Sequence, residues 1–379
     1  MTMKRPARAA TLAKAAIPAA LLALAVPQLA YADTADVTVA SPGATIGPGT
    51  PFTGVSAHAD CPDGLVSGGG ITQTTGDDRA GNGNHVMGVA PGSDDLSELT
   101  GTPGIVGQDV THWLAFGGSG SNYSPDFSTT PYALCLSSNR IRHTQVVMNK
   151  IAGPTVSQTA KLVTATCPTG TLLIGGGART TPASVGSLKP IASFPTFDDD
   201  AHDHGQIAAA DGETNPDSWT AVGGIGGGRD AGNTTYAYAI CSGDGDHVKG
   251  ITTEVRFGEL SGPTVAGTHQ TATVGCDSPG SSGSPGEWRR PGGWHLLSGG
   301  AAASGGNVTT ADFTKAGSGG THLTGSYPGD ASGTPATDGS ADPTSWTASV
   351  HVGGSPSPAT YTDVWALCLD TRHGAGNRR

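Results

Sequence analysis

The chain has 379 residues, of which 60 are Gly and 26 are Pro, while only 13% are charged and 5% are aromatic. Gly and Pro are the two poorest helix formers, so this composition excludes a long helical protein, and glycines without a three-residue period exclude a collagen. The net charge of −11 argues against nucleic acid as a partner, because an acidic chain repels phosphate backbones.

The first 32 residues have the pattern of a signal peptide. Four basic residues precede an apolar run at 15–30, and Ala30-Tyr31-Ala32 supplies the small residues that a signal peptidase reads. The run is shorter than the roughly 20 residues that cross a bilayer. We therefore predict cleavage before Asp33 and a secreted protein without a membrane span. Cleavage would remove four of the 20 basic residues and no acid, leaving 16 basic against 31 acidic residues and a net charge of −15.

Six cysteines divide the remaining chain into three similar units. One cysteine opens each unit before a glycine-rich segment, a Trp and a Gly pair follow, and an aromatic-Ala-x-Cys segment closes the unit. The openers are Cys61, Cys167 and Cys276, and the closers are Cys135, Cys241 and Cys368. This fixed order predicts a threefold internal repeat with units 33–145, 146–250 and 251–379, the third with an insert at 281–293.

The cysteines also predict disulfides, because an even number of them in an exported chain is typical of disulfide pairing. Six cysteines permit 15 pairings, and the repeat selects the one that joins each opener to the closer of its own unit. Metal ligation by thiolates is the alternative, but the sequence has no Cys-x-x-Cys. The predicted bonds are Cys61–Cys135, Cys167–Cys241 and Cys276–Cys368.

Short alternating segments indicate β-strands. Residues 235–240 alternate as a half-buried strand does, and 219–222 and 346–350 resemble strands that begin at a Trp and end near a Gly pair. Such Gly pairs favour bulges or close backbone contacts. We predict an all-β protein. Three tandem small β-sandwich units and one body with three sheets around a pseudo-threefold axis both fit. Units this poor in apolar surface favour the shared core of the single body.

The segment Cys61-Pro62-Asp63-Gly64 before a glycine-rich turn, the closing apolar-x-Cys strand and the threefold repetition resemble the vitelline membrane outer layer protein I family. The Trp-bearing insert at 287–293 is similar to the linkers between that family's sheets. The resemblance implies a β-prism of three Greek-key sheets. It also implies a role in extracellular coats with carbohydrate contact, which is an analogy at the level of the fold.

One cluster of metal-ligating residue types lies in the second unit. Its members are Asp198, Asp200, His202, Asp203 and His204. The two imidazoles would share a face of an extended strand and suit zinc or copper, while the carboxylates suit calcium or another divalent cation. A solvated acidic loop explains the same residues, since the matching stretches of the other units hold no similar cluster. The sequence predicts no other cofactor.

Tryptophans fall into two classes. Three recur at one repeat position, which predicts core packing against the disulfides: Trp113, Trp219 and Trp346. A second group lies at the third unit's insert, where exposed Trp beside Arg would be an anchor for sugars or protein surfaces. The members of this predicted ligand-binding group are Trp288, Arg289, Arg290 and Trp294. A plug between sheets is the alternative role for them.

The stretches 71–112, 178–218 and 301–345 are polar, and in a threefold body we expect equivalent loops to gather at one end and carry a ligand site.

The sequence has no Gly-x-Ser-x-Gly, His-Glu-x-x-His, Walker or dinucleotide-binding pattern. It therefore predicts a secreted, non-enzymatic binding or structural protein of the extracellular space or cell surface. Its partner would be an extracellular glycan or a protein surface. An extracellular hydrolase of polysaccharide or peptidoglycan is the alternative, and the oligomeric state stays open.

Overall fold

Alternating burial marks some of the strands, as in Ala35–Ala40, where inward residues are covered and intervening ones face solvent, whereas other strands, such as Asn84–Gly92, are buried throughout. The computed structural model describes residues 34–74, 83–120, 127–181, 188–198, 207–226, 232–246, 248–276, 293–304, 320–353 and 359–371. All of them belong to one compact unit, Ala32–Arg379. The predicted signal peptide and residues 281–292 of the insert lie outside the described residues. Within those residues the structure has no helix of the length and apolarity that a membrane crossing requires.

The described residues form twenty strands. They are β1 (Ala35–Ala40), β2 (Thr45–Ile46), β3 (Gly54–Asp60), β4 (Leu65–Thr74), β5 (Asn84–Gly92), β6 (Gly104–Gln108), β7 (His112–Ser119), β8 (Ser128–Ser138), β9 (Thr144–Ala152), β10 (Thr159–Thr166), β11 (Leu173–Thr181), β12 (Leu188–Thr196), β13 (Ser218–Ile225), β14 (Thr234–Ser242), β15 (Thr252–Ser261), β16 (His269–Gly275), β17 (Trp294–Ser304), β18 (Thr321–Gly329), β19 (Ser345–Val352) and β20 (Tyr361–Asp370).

The strands form three antiparallel sheets, and each sheet combines strands from two units. Sheet I has the order β1-β8-β4-β18-β19-β16, with β2 paired to β8; sheet II is β3-β7-β5-β11-β14-β9-β6; sheet III is β10-β13-β12-β17-β20-β15. The first and second units share sheet II, the second and third share sheet III, and the third returns to the first in sheet I. The units therefore close a ring. The predicted three-part all-β body is confirmed, and the alternative of three separate sandwiches is wrong.

Each disulfide joins two different sheets. The opening cysteine follows the last residue of β3, β10 or β16, and the closing cysteine lies in β8, β14 or β20 of the neighbouring sheet. The bonds are Cys61–Cys135, Cys167–Cys241 and Cys276–Cys368, with Cα separations of 5.4, 5.7 and 5.6 Å. The predicted pairing is confirmed. Disulfides of this kind persist in oxidising compartments.

Glycine makes room for the repeated tryptophans. A Cβ on Gly176 would overlap the indole of Trp219, and the same relation holds in the other two units. The equivalent pairs are Gly69 with Trp113 and Gly299 with Trp346. All three indoles are fully buried, so their predicted core position is confirmed, with glycine backbone as the packing surface. Bulges lie in these opening segments, at Val66/Gly68, Leu173/Gly175 and Leu296/Ser298. Further bulges lie in β5, β12 and β18, at Val86/Gly88, Pro190/Ala192 and Leu323/Gly325, and the first two are opposite the Gly pairs at 117–118 and 223–224.

The two ends of the body carry different connections. We call the end that holds the opening cysteines the cysteine end, and the opposite end, where β5, β12 and β18 begin, the histidine end. The stretches 71–112, 178–218 and 301–345 do not gather at one end, because each contains one of these three buried strands, which crosses the body. The expectation of three long polar loops is therefore wrong: each stretch contains a buried strand that is followed by a loop at the cysteine end.

In each repeat a left-handed Asp or Asn joins a cysteine-end loop to a β-strand. Asn215 has a φ of 54°, its side-chain Oδ1 accepts from the Thr253 N–H at 3.1 Å, and its own N–H donates to the Thr253 carbonyl. Asn and Asp enter this backbone region more readily than most residues. The equivalent pairs are Asp109 with Thr144 and Asp342 with Val37.

Candidate functional site

Basic side chains from all three sheets meet at the histidine end. His85, Lys189 and His322 are each the second residue of their strand, β5, β12 and β18, so they occupy one repeat position. The rings of His85 and His322 lie 6.1 Å apart, and His351, opposite His322 in the ladder of β18 and β19, lies 5.4 Å from it. We call these four residues the axial cluster.

The axial cluster is almost sealed from solvent. His85 and His322 are 1% exposed, His351 is 3% and Lys189 is 8% exposed. The Nδ1 atoms of His85 and His322 lie 3.0 and 2.7 Å from the carbonyl oxygens of the glycines two residues earlier, Gly83 and Gly320. A neutral imidazole must donate through Nδ1 in such a contact. Both Nε2 atoms are therefore left as acceptors, and that of His85 is 3.1 Å from the Met87 sulfur.

Burial keeps the two imidazoles neutral. Burial first, and then the charge of Lys189, lower the pKa of His85 to about 3. The same two causes, with smaller contributions from His85 and His351, lower the pKa of His322 well below its usual value. Burial lowers the pKa of Lys189 to about 8, so its ammonium remains mostly charged at neutral pH. Within the part of the chain that the structure describes, Lys189 makes no hydrogen bond or ion pair.

The predicted metal cluster of the second unit lies mostly outside the described residues, which include only Asp198. Its carboxylate accepts from the Thr166 hydroxyl at 2.6 Å, and its N–H donates to Asp217 at 2.8 Å, so Asp198 links β10 to the loop after β12. Asp200, His202, Asp203 and His204 remain a sequence prediction. Among the described residues, no group of three His, Cys, Asp or Glu side chains is arranged to hold a metal ion.

The predicted ligand-binding group at the insert is described only at Trp294; Trp288, Arg289 and Arg290 lie outside the described residues. Trp294 is half-buried at the start of β17 and packs against the largest hydrophobic cluster. The Arg256 guanidinium lies 5.8 Å from its ring centre. These contacts support the plug role for Trp294, and the role of the other three stays a prediction.

Equivalent turns at the histidine end expose apolar side chains. Val156 and Val265 are 55% and 62% exposed, and the carbonyl of each accepts from the threonine hydroxyl three residues later. Thr50 makes the same contact in the first unit, where Ile46 and Phe52 supply the exposed apolar surface instead. Each unit therefore presents apolar side chains at this end.

A pair of carboxylates lies on sheet III, where Asp363 of β20 is directly opposite Glu259 of β15. Asp363 is fully buried while Glu259 is exposed. Burial of its carboxyl raises the pKa of Asp363, and the neighbouring Glu259 carboxylate adds to the rise. Because both carboxylate oxygens of Asp363 are buried, the pair is closed to a substrate in this structure.

Sequence reasoning did not find the axial cluster, because its three equivalent positions hold two different residue types. One signal was present: Gly83-Asn84-His85 and Gly320-Thr321-His322 share a Gly-polar-His pattern before an apolar residue. The third copy, ending in Lys189, breaks that pattern.

No protein-family model matches this sequence, and no curated protein is significantly similar to it.

Proposed function

We propose that this chain is a secreted, non-enzymatic binding protein of the extracellular space or cell surface, and that its histidine end contacts a glycan or a protein surface. The observation that carries the proposal is the repetition of exposed apolar side chains at equivalent turns of that end, including Val156 and Val265. Exposed apolar groups within a polar rim are typical of interaction sites.

Three further features support this proposal. The first 32 residues have the pattern of a signal peptide. Three disulfides suit an oxidising compartment, and the resemblance to vitelline membrane outer layer protein I implies carbohydrate contact. A ring of sheets closed by disulfides holds the turns in fixed relative positions, which reduces the ordering cost of binding.

The proposal is tested by retention on insoluble polysaccharides and on cell walls. We expect the wild type to be retained and a Val156→Ser/Val265→Ser variant to bind about fivefold or more weakly, as loss of an interface anchor would produce. Ile105→Ser is the matched control, because Ile105 is 53% exposed but lies on β6, away from the histidine end. Equal weakening by control and double variant, or retention unchanged in both, would contradict the proposal.

A second candidate function is an extracellular hydrolase of polysaccharide or peptidoglycan, with carboxylates of the second unit's cluster such as Asp200 and Asp203 as its acid groups. Release of reducing sugar by the wild type and its loss in Asp200→Asn or Asp203→Asn, with retention unchanged, would favour this candidate. Retention without any release of sugar favours the binding protein.

A further inference from the structure

The loop between β18 and β19 contains an open cleft at the cysteine end of the third unit. Its volume is about 290 Å³, at the lower end of the roughly 300–1,000 Å³ that small-molecule sites occupy. Backbone hydrogen bonds hold the loop to neighbouring segments: the Asp342 N–H donates to the Val37 carbonyl at 2.7 Å, and the Thr344 carbonyl accepts from the Cys276 N–H at 2.9 Å. The cleft therefore has the size and the fixed walls for a ligand of one or two sugar rings.

Two carboxylates, those of Asp330 and Asp342, line the cleft. The Oδ1 of Asp330 accepts from the Ser332 hydroxyl at 2.6 Å and from the N–H groups of Ser332 and Thr334. These contacts also lower the pKa of Asp330. Asp342 uses its Oδ1 for contacts with β1 and with His295. Among the described residues no group makes a hydrogen bond with the Oδ2 of either Asp, so each carboxylate keeps one oxygen for a ligand.

The charge around the cleft favours a cationic ligand. The described residues of 293–371, which form β17 to β20 and their loops, include aspartates but no Lys or Arg, and a field of one sign attracts ligands of the opposite sign. The rest of the lining combines hydroxyls with apolar groups. The hydroxyls belong to Thr334, Thr337, Ser340 and Thr344, and the apolar groups to Pro335, Ala336 and Pro343.

We propose that this cleft binds an amino sugar, that is, a pyranose with a free ammonium group. The ammonium would donate to the Oδ2 atoms of Asp330 and Asp342, and the C–H face of the ring would lie on Pro335. The hydroxyls of Thr337 and Ser340 are 3.0 Å apart, and because a hydroxyl has one donor and two acceptor positions, both can still bond a sugar hydroxyl. A basic side chain of a protein would use the carboxylates and leave these hydroxyls unused. The cleft lies at the opposite end from the contact proposed above, so this inference goes beyond that contact and does not depend on it.

The experiment titrates the isotope-labelled full chain with glucosamine, N-acetylglucosamine and glucose and follows binding by NMR. It is run at about pH 6, where an amine of this kind is protonated. We expect glucosamine to bind about fivefold or more tightly than the two sugars without an ammonium, and its affinity to fall as sodium chloride is raised.

Asp330→Asn/Asp342→Asn should weaken glucosamine about fivefold or more, while Asn keeps the Oδ1 acceptor that each loop contact needs. Asp95→Asn/Asp109→Asn is the matched control and should bind glucosamine as the wild type does. It removes the same charge from the corresponding loop of the first unit, where Asp95 accepts from Ser93 and Ser97 as Asp330 accepts in its own turn. If the double cleft variant does not fold, Asp330→Asn alone keeps the test decisive, because Asp330 is exposed and its side chain bonds only within its own turn.

Equal affinity for glucosamine and glucose, or equal weakening by the cleft variant and its control, would overturn the proposal. Binding of Nα-acetyl-lysinamide as tight as that of glucosamine would also overturn it, in favour of a site for a basic protein side chain, and displacement of glucosamine by equimolar calcium chloride would indicate a metal site instead. Val156→Ser/Val265→Ser should bind glucosamine as the wild type does, so failure of this site and failure of retention on polysaccharide are separate results.

Discussion

Replacement of His85 by Asn should remove a large part of the acid sensitivity of this fold. Histidine has a pKa of 6.5 in an unfolded chain, whereas burial and Lys189 lower the pKa of His85 to about 3 in the folded protein. Between these two values the unfolded state binds more protons, so the free energy of unfolding falls as the pH is lowered. Each pH unit below 6.5 costs about 1.4 kcal/mol, which gives a loss of about 2 kcal/mol from His85 alone at pH 5.

The assay is urea unfolding followed by tryptophan fluorescence, with the disulfides intact, from pH 7.5 to pH 5. His85→Asn should be less stable than wild type at pH 7.5, because Asn fills less of the site, but its stability should fall by about 2 kcal/mol less on acidification. Acidification should stabilise the fold through Asp363 and the exposed His143, because the pKa values of both groups are raised in the folded protein. Both groups are present in wild type and variant, so they cancel in the comparison.

His58→Asn is the matched control for the exchange of a histidine for an asparagine, because the His58 side chain is 43% exposed. Parallel loss of stability in wild type and His85→Asn between pH 7.5 and pH 5 would refute a neutral, buried His85. An equal change in slope for His58→Asn would show that the effect has no link to burial.

Three further predictions concern a glycine in the core, a disulfide and a loop contact. Gly176→Ala should cost about 3 kcal/mol or more, because its Cβ overlaps a buried indole and a backbone carbonyl; Gly49→Ala, with open space around its Cβ, should be nearly neutral in the same urea assay. Removal of the Cys61–Cys135 bond by paired Ala substitutions should cost up to about 4.5 kcal/mol for a sequence separation of 74. Calorimetry should still show one transition, and separate melting of one unit would contradict the shared sheets. Asn215→Asp should change stability by less than about 0.5 kcal/mol, whereas Asn215→Ala should lose about 1–2 kcal/mol with the acceptor for the Thr253 N–H.

The disulfide pairing and the threefold repeat could be predicted from the sequence because identical residues mark them. A cysteine before a glycine-rich segment, a Trp and a closing cysteine recur in the same order in all units. The core position of Trp219 followed from that recurrence alone. The repeat and the pairing are defined by the order of residues along the chain, so the sequence alone is enough to predict them.

The pairing of units in shared sheets could not be predicted in the same way. Strand β5 is buried at every position from Asn84 to Gly92, so it shows no alternation, and β12 contains prolines at 190 and 195 that argue against a strand. The axial cluster forms where β5, β12 and β18 come together from three different sheets. Its histidines and lysine are isolated in sequence, and only the topology brings them together.

The return of the third unit to the first has a consequence for how this protein is made. Sheet I joins β4 to β18, with Ile71 opposite Ser326, so the amino-terminal third of the chain lacks half of its sheet until the last hundred residues have been synthesised. Pairing over such a separation is slow, because the entropy of closing the intervening loop is lost before the contacts form. The first unit therefore completes its sheet only after β18 has been synthesised, and a truncation that removes β18 and β19 would leave β4 as an exposed edge prone to aggregation.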